Sequence, residues 1–219
     1  MITHPDFTIV IPAAGSGDRL GLGPKAWLKL GEKSLLSCLV AKAKSITNSV
    51  IIAAPAGCSE RLATLCPECL IVEGGATRQQ TVKILAQACK SPWLIIQDAA
   101  RPFVSTSLLR SVADATKKTG AAGAFLAPEV PVAIINKGLV TSQFPADEVG
   151  IFQAPQGFSR HILDRSISAA EAGNWVAQST IQLVLQAGYK VKSVPGEKTN
   201  IKLTTPADWL LAQSLGNLL

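Results

Sequence analysis

The chain is predicted to be an α/β protein built on a Rossmann-like, doubly wound, mostly parallel sheet with an inserted β-hairpin arm. Three observations predict it. Apolar runs of strand length alternate with amphipathic runs of helix length, which is the pattern of βαβ units. The first apolar run leads into a glycine-rich turn, at the edge where such sheets hold ligands. The 219 residues, 47% apolar and 16% charged, suffice for one packed core and are too apolar for a disordered chain.

In order, strands are expected at Phe7–Pro12 and at residues 50–54, 69–72, 93–97 and 121–127, with helices between them near 33–45, 59–65, 77–88 and 107–118. Near Val130 the alternation breaks. Residues 130–135 and 139–144 flank Asn136-Lys137-Gly138 and read as a β-hairpin. A hairpin inserted in a doubly wound domain is usually an arm that pairs with something, often a second subunit. Residues 1–219 are thus read as one domain, with 130–150 as its protruding dimerisation arm. Helices follow near 159–172 and 177–187, then a strand at 189–194. A last helix begins at Pro206, which suits N1, with Thr205 as its N-cap.

Bulk properties exclude several classes. The longest apolar runs fall far short of a membrane span. Met1-Ile2-Thr3-His4-Pro5-Asp6 has neither the basic nor the apolar region of a signal peptide, so a cytoplasmic location and no membrane partner are expected. The net charge of +6 favours anionic partners. The basic residues are scattered without interleaved aromatics, so small phosphorylated ligands fit better than nucleic acid. The five cysteines are expected to be free thiols. Cys66-Pro67-Glu68-Cys69 has redox-motif spacing, but no second pair or neighbouring histidine accompanies it to bind zinc.

The stretch Thr8-Ile9-Val10-Ile11-Pro12-Ala13-Ala14-Gly15-Ser16-Gly17-Asp18-Arg19, followed by Pro24-Lys25, carries the most chemistry. A loop without side chains lets main-chain N–H groups approach a polyanion, and Arg19 and Lys25 can clamp several phosphates. It is not a Walker A loop, since Ala26 follows Lys25 where a hydroxyl is required. It is not a dinucleotide fingerprint, since Leu20 stands where the third glycine belongs. A glycine turn used for geometry alone is the plainer reading; the two cations tilt it towards a nucleoside triphosphate site.

Three further clusters stand out. Gly74-Gly75-Ala76-Thr77-Arg78-Gln79-Gln80-Thr81 has capping-box spacing at Thr77 and Gln80, so glycines lie beside free N–H groups at a helix start. A plain strand–turn–helix junction explains that spacing as well. Asp98-Ala99-Ala100-Arg101-Pro102 puts a carboxylate after a strand, a natural magnesium ligand, with Arg101 placed to grip a phosphate; a salt-bridged loop is the alternative. Lys202 is a cation in a near-apolar stretch, by default a surface lysine. No Ser–His–Asp or Cys–His set is visible.

These clusters, with Pro155-Gln156-Gly157-Phe158 and Asn200-Ile201-Lys202, resemble in order and over nearly the whole chain the 2-C-methyl-D-erythritol 4-phosphate cytidylyltransferases of the non-mevalonate isoprenoid pathway. The resemblance implies a nucleotidyltransferase homodimer with interlocked arms. It implies CTP bound with magnesium, and CMP transfer to a polyol phosphate with release of pyrophosphate. Arg19, Lys25 and Lys202 match the phosphate-stabilising catalytic cations. Gly75, Ala76 and Thr81 match cytosine-holding positions, Asp98 the residue beside metal and ribose, and Arg101 an acceptor-phosphate contact. Loop and resemblance together place the nucleotide against Pro12, Ala13, Ala14, Gly15, Ser16, Gly17, Gly75, Ala76, Arg78, Thr81, Asp98 and Ala99, with Asp98 as the metal ligand.

Nearly all the departures fall on the acceptor side; one, Lys25-Ala26 in place of the family's Lys-Gln, does not. The family's arm reads Val-Pro-Val-Thr-Asp-Thr-Ile-Lys; here it reads Val130-Pro131-Val132-Ala133-Ile134-Ile135-Asn136-Lys137. No arginine occurs in residues 145–148, where the family carries one, and Gln-Thr-Pro-Gln has become Gln153-Ala154-Pro155-Gln156. Each lost contact to a charged phosphate is worth roughly 1.5–3 kcal/mol. Three readings follow: a divergent methylerythritol phosphate enzyme whose acceptor phosphate is held by Arg101, Lys137 and Lys202; a cytidylyltransferase for another acceptor such as ribitol 5-phosphate; or a non-catalytic CTP-binding relative. The first is favoured on overall similarity.

Overall fold

The computed structural model describes residues 2–15, 17 and 20–219. Its centre is β1 (Phe7–Pro12), buried along nearly its whole length. On one side β1 pairs in parallel with β4 (Ser49–Ala54), and β4 with β5 (Leu70–Glu73). On the other side it pairs in parallel with β6 (Trp93–Ile96). Beyond β6 lie β10 (Ile151–Ser159), β7 (Ala121–Leu126) and β11 (Lys192–Pro195), completing a seven-stranded sheet.

Side-chain alternation on these strands makes two cores. Ile9, Ile11, Ile52 and Ile95 face one layer, which α1 (Leu35–Lys44), α2 (Ser59–Leu65) and α4 (Thr106–Thr119) cover with Leu39, Leu62 and Leu109. Val10, Ile51, Leu94 and Ile96 face the other, covered by α3 (Arg78–Ala88), α5 (Arg160–Ala172) and α6 (Thr180–Gln186) through Leu85, Leu163 and Val184. A smaller cluster joins Leu28, Phe103 and Leu203 to Ala212 of α7 (Pro206–Ser214). A short ribbon, β2 (Lys29–Leu30) with β3 (Lys33–Ser34), precedes α1, and the Ser34 hydroxyl caps that helix. The expectation of a helix from residue 33 is corrected by those two strand residues.

The larger correction is β10, a strand that the sequence pattern does not predict. It runs antiparallel between β6 and β7. Pro155 in the middle of a strand reads against a central position, because proline cannot donate to the ladder. The structure resolves this with a bulge. From Phe152 to Gln156, β10 advances four residues while β7 advances two, from Phe125 to Gly123, so Pro155, which follows a cis peptide bond, is lifted off the ladder with β7.

β8 (Val132–Asn136) and β9 (Leu139–Phe144) form a separate antiparallel ribbon. Lys137 at φ 50° and Gly138 at φ 82° make its two-residue turn. Ile135, Leu139 and Val140 are each at least two-thirds exposed on it.

The order of strands decides where a ligand sits. The chain leaves β1 for β4 and β5 on one side, then crosses to β6 on the other. The connections after β1 and β6 therefore diverge and leave a crevice at the carboxyl ends of the two strands.

Candidate nucleotide site

That crevice is a cavity of about 390 Å³, within the range of small-molecule clefts. The loop after β1 contributes Pro12, Ala13, Ala14, Gly15, Gly17 and Lys25. The turn after β5 contributes Gly75, Ala76, Thr77, Arg78 and Thr81, and the loop after β6 contributes Asp98, Ala99 and Ala100. Lys202 closes it from the segment between β11 and α7. Except for Thr77 and Ala100, all these positions are among those expected from the sequence. Ser16 and Arg19 lie outside the described residues.

Each wall has a local cause. The Ala13 N–H donates to Ala53 O at 3.0 Å, carrying the parallel pairing one residue past β1. Gly17 has φ +81°, and a Cβ there would stand 1.9 Å from the Gly23 carbonyl oxygen, so the loop folds on itself only with glycine. Pro24 then leads into a single 3-10 turn, Lys25–Trp27, whose Trp27 packs on the core under the Arg61 guanidinium, 4.1 Å from the ring centroid.

The second wall touches the first because Gly74 has no side chain: a Cβ there would lie 2.4 Å from Ala14 Cβ. Its turn is set from within α3. Thr77 and Gln80 form the capping box, as their spacing predicts. The buried Thr81 hydroxyl accepts the Gly75 N–H at 3.1 Å and donates to Thr77 O at 3.0 Å.

Asp98 is the electrostatic centre. Its Oδ1 lies 2.9 Å from Arg78 Nη2, and its Oδ2 lies 3.1 Å from Lys202 Nζ and 4.0 Å from Arg101 Nε. Burial pushes this carboxyl up, but Arg78, Lys202 and Arg101 outweigh burial and hold it down at about 2. It is therefore ionised at neutral pH. Oδ1 is buried and, despite the nearby Arg78, receives no hydrogen bond of good geometry. That leaves a carboxylate lone pair for a cation. Among the described residues no group of three or more His, Cys, Asp or Glu side chains could hold a metal. Among the described residues lining the cavity, Asp98 is the carboxylate that would hold a magnesium ion, and one carboxylate beside substrate phosphates suits that ion's chemistry.

A family model described as IspD, 2-C-methyl-D-erythritol 4-phosphate cytidylyltransferase, matches residues 7–216. The chain belongs to this family. The cytidylyltransferase of that name from Deinococcus radiodurans is 39% identical over 97% of this chain and 90% of its own length. The Thermus thermophilus one is 34% identical over 97% of this chain and 98% of its own. A crystal structure of the cytidylyltransferase from Thermus thermophilus superposes with a TM-score of 0.83, covering 99% of this chain and all of that one, at 32% identity.

Within this cytidylyltransferase frame, two expected acceptor contacts stand apart from the cavity wall. Arg101 is 8% exposed and lies behind Asp98. Its Nη1 donates to Asn200 O and its Nη2 to Phe152 O at 3.2 Å, so much of its donor capacity serves the main chain. Burial pushes its pKa down and Asp98 pulls it up. Lys137 is exposed at the hairpin turn. Gln153 and Asn200 both stand in motifs visible in the sequence, but reading it missed the hydrogen bonds that join Gln153 and Asn200 beside Lys202.

Proposed function

We propose that this chain transfers CMP from CTP to 2-C-methyl-D-erythritol 4-phosphate and releases pyrophosphate. The observation that carries this reading is a cavity at the switch point between β1 and β6 with Lys25, Arg78 and Lys202 in its wall and one ionised carboxylate at its centre. The acceptor phosphate oxygen attacks the α-phosphorus, and the bond from that phosphorus to the β-phosphate bridging oxygen breaks. A phosphate nucleophile is already ionised, so no general base is required. Catalysis is then alignment and neutralisation of converging negative charge. Lys25 and Lys202 supply positive charge from two different segments of the cavity lining. In this reading the main chain at Ala14, Gly15 and Gly17 faces the phosphates, and the Gly75–Thr81 turn receives the base. Magnesium, when bound at Asp98, supplies further neutralisation of the triphosphate.

The reading includes a homodimer formed through the 130–150 arm. Ile134, Ile135, Leu139, Val140 and Phe144 of this ribbon are exposed, and a two-stranded ribbon is marginally stable unless it packs on something. A cytoplasmic location is part of this proposal. Among the described residues no helix is long and apolar enough to cross a membrane. The apolar arm, with Ile135 where the family's hydroxyl residue is expected, favours a second reading in which another polyol phosphate, such as ribitol 5-phosphate, is the acceptor.

The test is pyrophosphate release with CTP, magnesium and a panel of polyol phosphates. Turnover with methylerythritol phosphate is expected, and Lys25→Ala is expected to lower it by at least about 100-fold, as loss of a charge stabiliser does. Near-normal turnover in Lys25→Ala overturns the phosphate-loop assignment; turnover only with ribitol 5-phosphate moves the reading to that acceptor.

A further inference from the structure

Lys202 sits on a segment with no regular secondary structure between β11 and α7, yet its ammonium must meet Asp98 within a hydrogen bond's reach. A long side chain on an irregular segment has many places to be. Something else has to hold its main chain.

That something is the β10 bulge. Lifted off the ladder, Gln153 turns its amide to the segment that carries Lys202. Its Nε2 donates to Glu197 O at 2.9 Å, and its Oε1 accepts from Glu197 N at 3.1 Å. This pair of hydrogen bonds copies what a neighbouring strand gives a β-residue, with a side chain in place of the strand. Gln153 Oε1 also receives Asn200 Nδ2 at 3.3 Å, and the same Nδ2 lies 2.7 Å from Ala154 O. Leu203 N donates to Ala100 O at 2.8 Å. The segment is thus fixed at 197, 200 and 203, on both sides of Lys202. Gln153 is 5% exposed and Asn200 fully buried, and neither lines the cavity.

We propose that Gln153, acting with Asn200, is a positioning residue: its amide latch sets where the Lys202 ammonium stands. It touches no reacting atom. A buried amide is costly unless it is paired, and Gln153 pairs both of its ends on the segment that carries Lys202. The inference rests on the proposed role of Lys202, but its first test does not require turnover.

Lysine acetylation by a water-soluble active ester, read by mass spectrometry, compares wild type with Gln153→Met, which keeps the length and loses the hydrogen bonds. Released from Asp98, Lys202 is expected to label several-fold faster, with the exposed Lys118 unchanged as internal reference. An unchanged Lys202, or an equal rise at both lysines, overturns the proposal. The second readout is kinetic. Gln153→Met is expected to lower kcat by about 10- to 100-fold with the KM for CTP within about 3-fold, as a misplaced group does. In a Lys202→Met background the same substitution is expected to add almost nothing. Losses that multiply in full across the two backgrounds, or that fall on KM, overturn it. Should Gln153→Met not fold, Gln153→Glu, which keeps the acceptor and removes the donor, enters the same cycle. A wild type that releases no pyrophosphate with any acceptor counts against the functional reading alone, since the labelling comparison still stands.

Discussion

Asp98 is held ionised by the cations it holds in place. Removing its charge would leave Arg78, Lys202 and the buried Arg101 facing one another. Its folded pKa of about 2 lies below the ordinary value of 3.8, so it stabilises the fold above the unfolded-state value and that contribution is lost as pH falls towards 2. The contribution is on the order of 2 kcal/mol. Asp98→Asn is therefore expected to be less stable than wild type at pH 7, with the gap closing between about pH 4 and pH 2. Chemical denaturation across that range checks it; a constant gap would assign the loss to packing. Arg101 shows how far a residue can be read in sequence. Its neighbourhood with Asp98 was legible, being three positions away. Its burial was not, because that depends on carbonyls at Phe152 and Asn200, which only the folded chain brings to it.

At the scale of elements, the Gly75–Thr81 turn is held in shape by hydrogen bonds within itself. Thr81→Val keeps the shape and removes the acceptor for the Gly75 N–H, a loss of roughly 1–3 kcal/mol. It is expected to shrink the rise in Tm that CTP produces, while Thr81→Ser leaves it nearly intact; equal shifts in both variants would remove the hydroxyl from the account. The sequence made this turn legible because glycine, cap and helix start are neighbours along the chain. The hairpin was legible for the same reason, its turn chemistry being local. β10 was not. Its pairing partners are distant in sequence, its apolar alternation is interrupted by Gln153 and Gln156, and its proline argues against the centre of a sheet. Only the bulge reconciles those residues with that position, and the latch to Glu197 is the bulge's consequence.

At the scale of the whole molecule, the proposed dimer and the proposed site meet on one strand. β10 starts at the root of the arm, where Ile151 and Phe152 are exposed, and runs inward past the latch beneath Lys202. Ile135→Asp puts a charge on the apolar ribbon and is expected to shift the protein from dimer to monomer in light scattering, with the melting of the central sheet little changed. A wild type that is monomeric at every concentration would dispose of the arm's assigned role.

The pairing at Asp98 has one more implication, for the way an anion arrives. The cavity is no bare well of positive potential, because Arg78 and Lys202 already face an internal counter-ion. On the proposed reading, entry of a triphosphate would be a partner exchange. On the same reading, sulfate or free phosphate, with neither base nor metal to compensate Asp98, would gain little by it, and the site would act as an ion exchanger selective for the complete nucleotide.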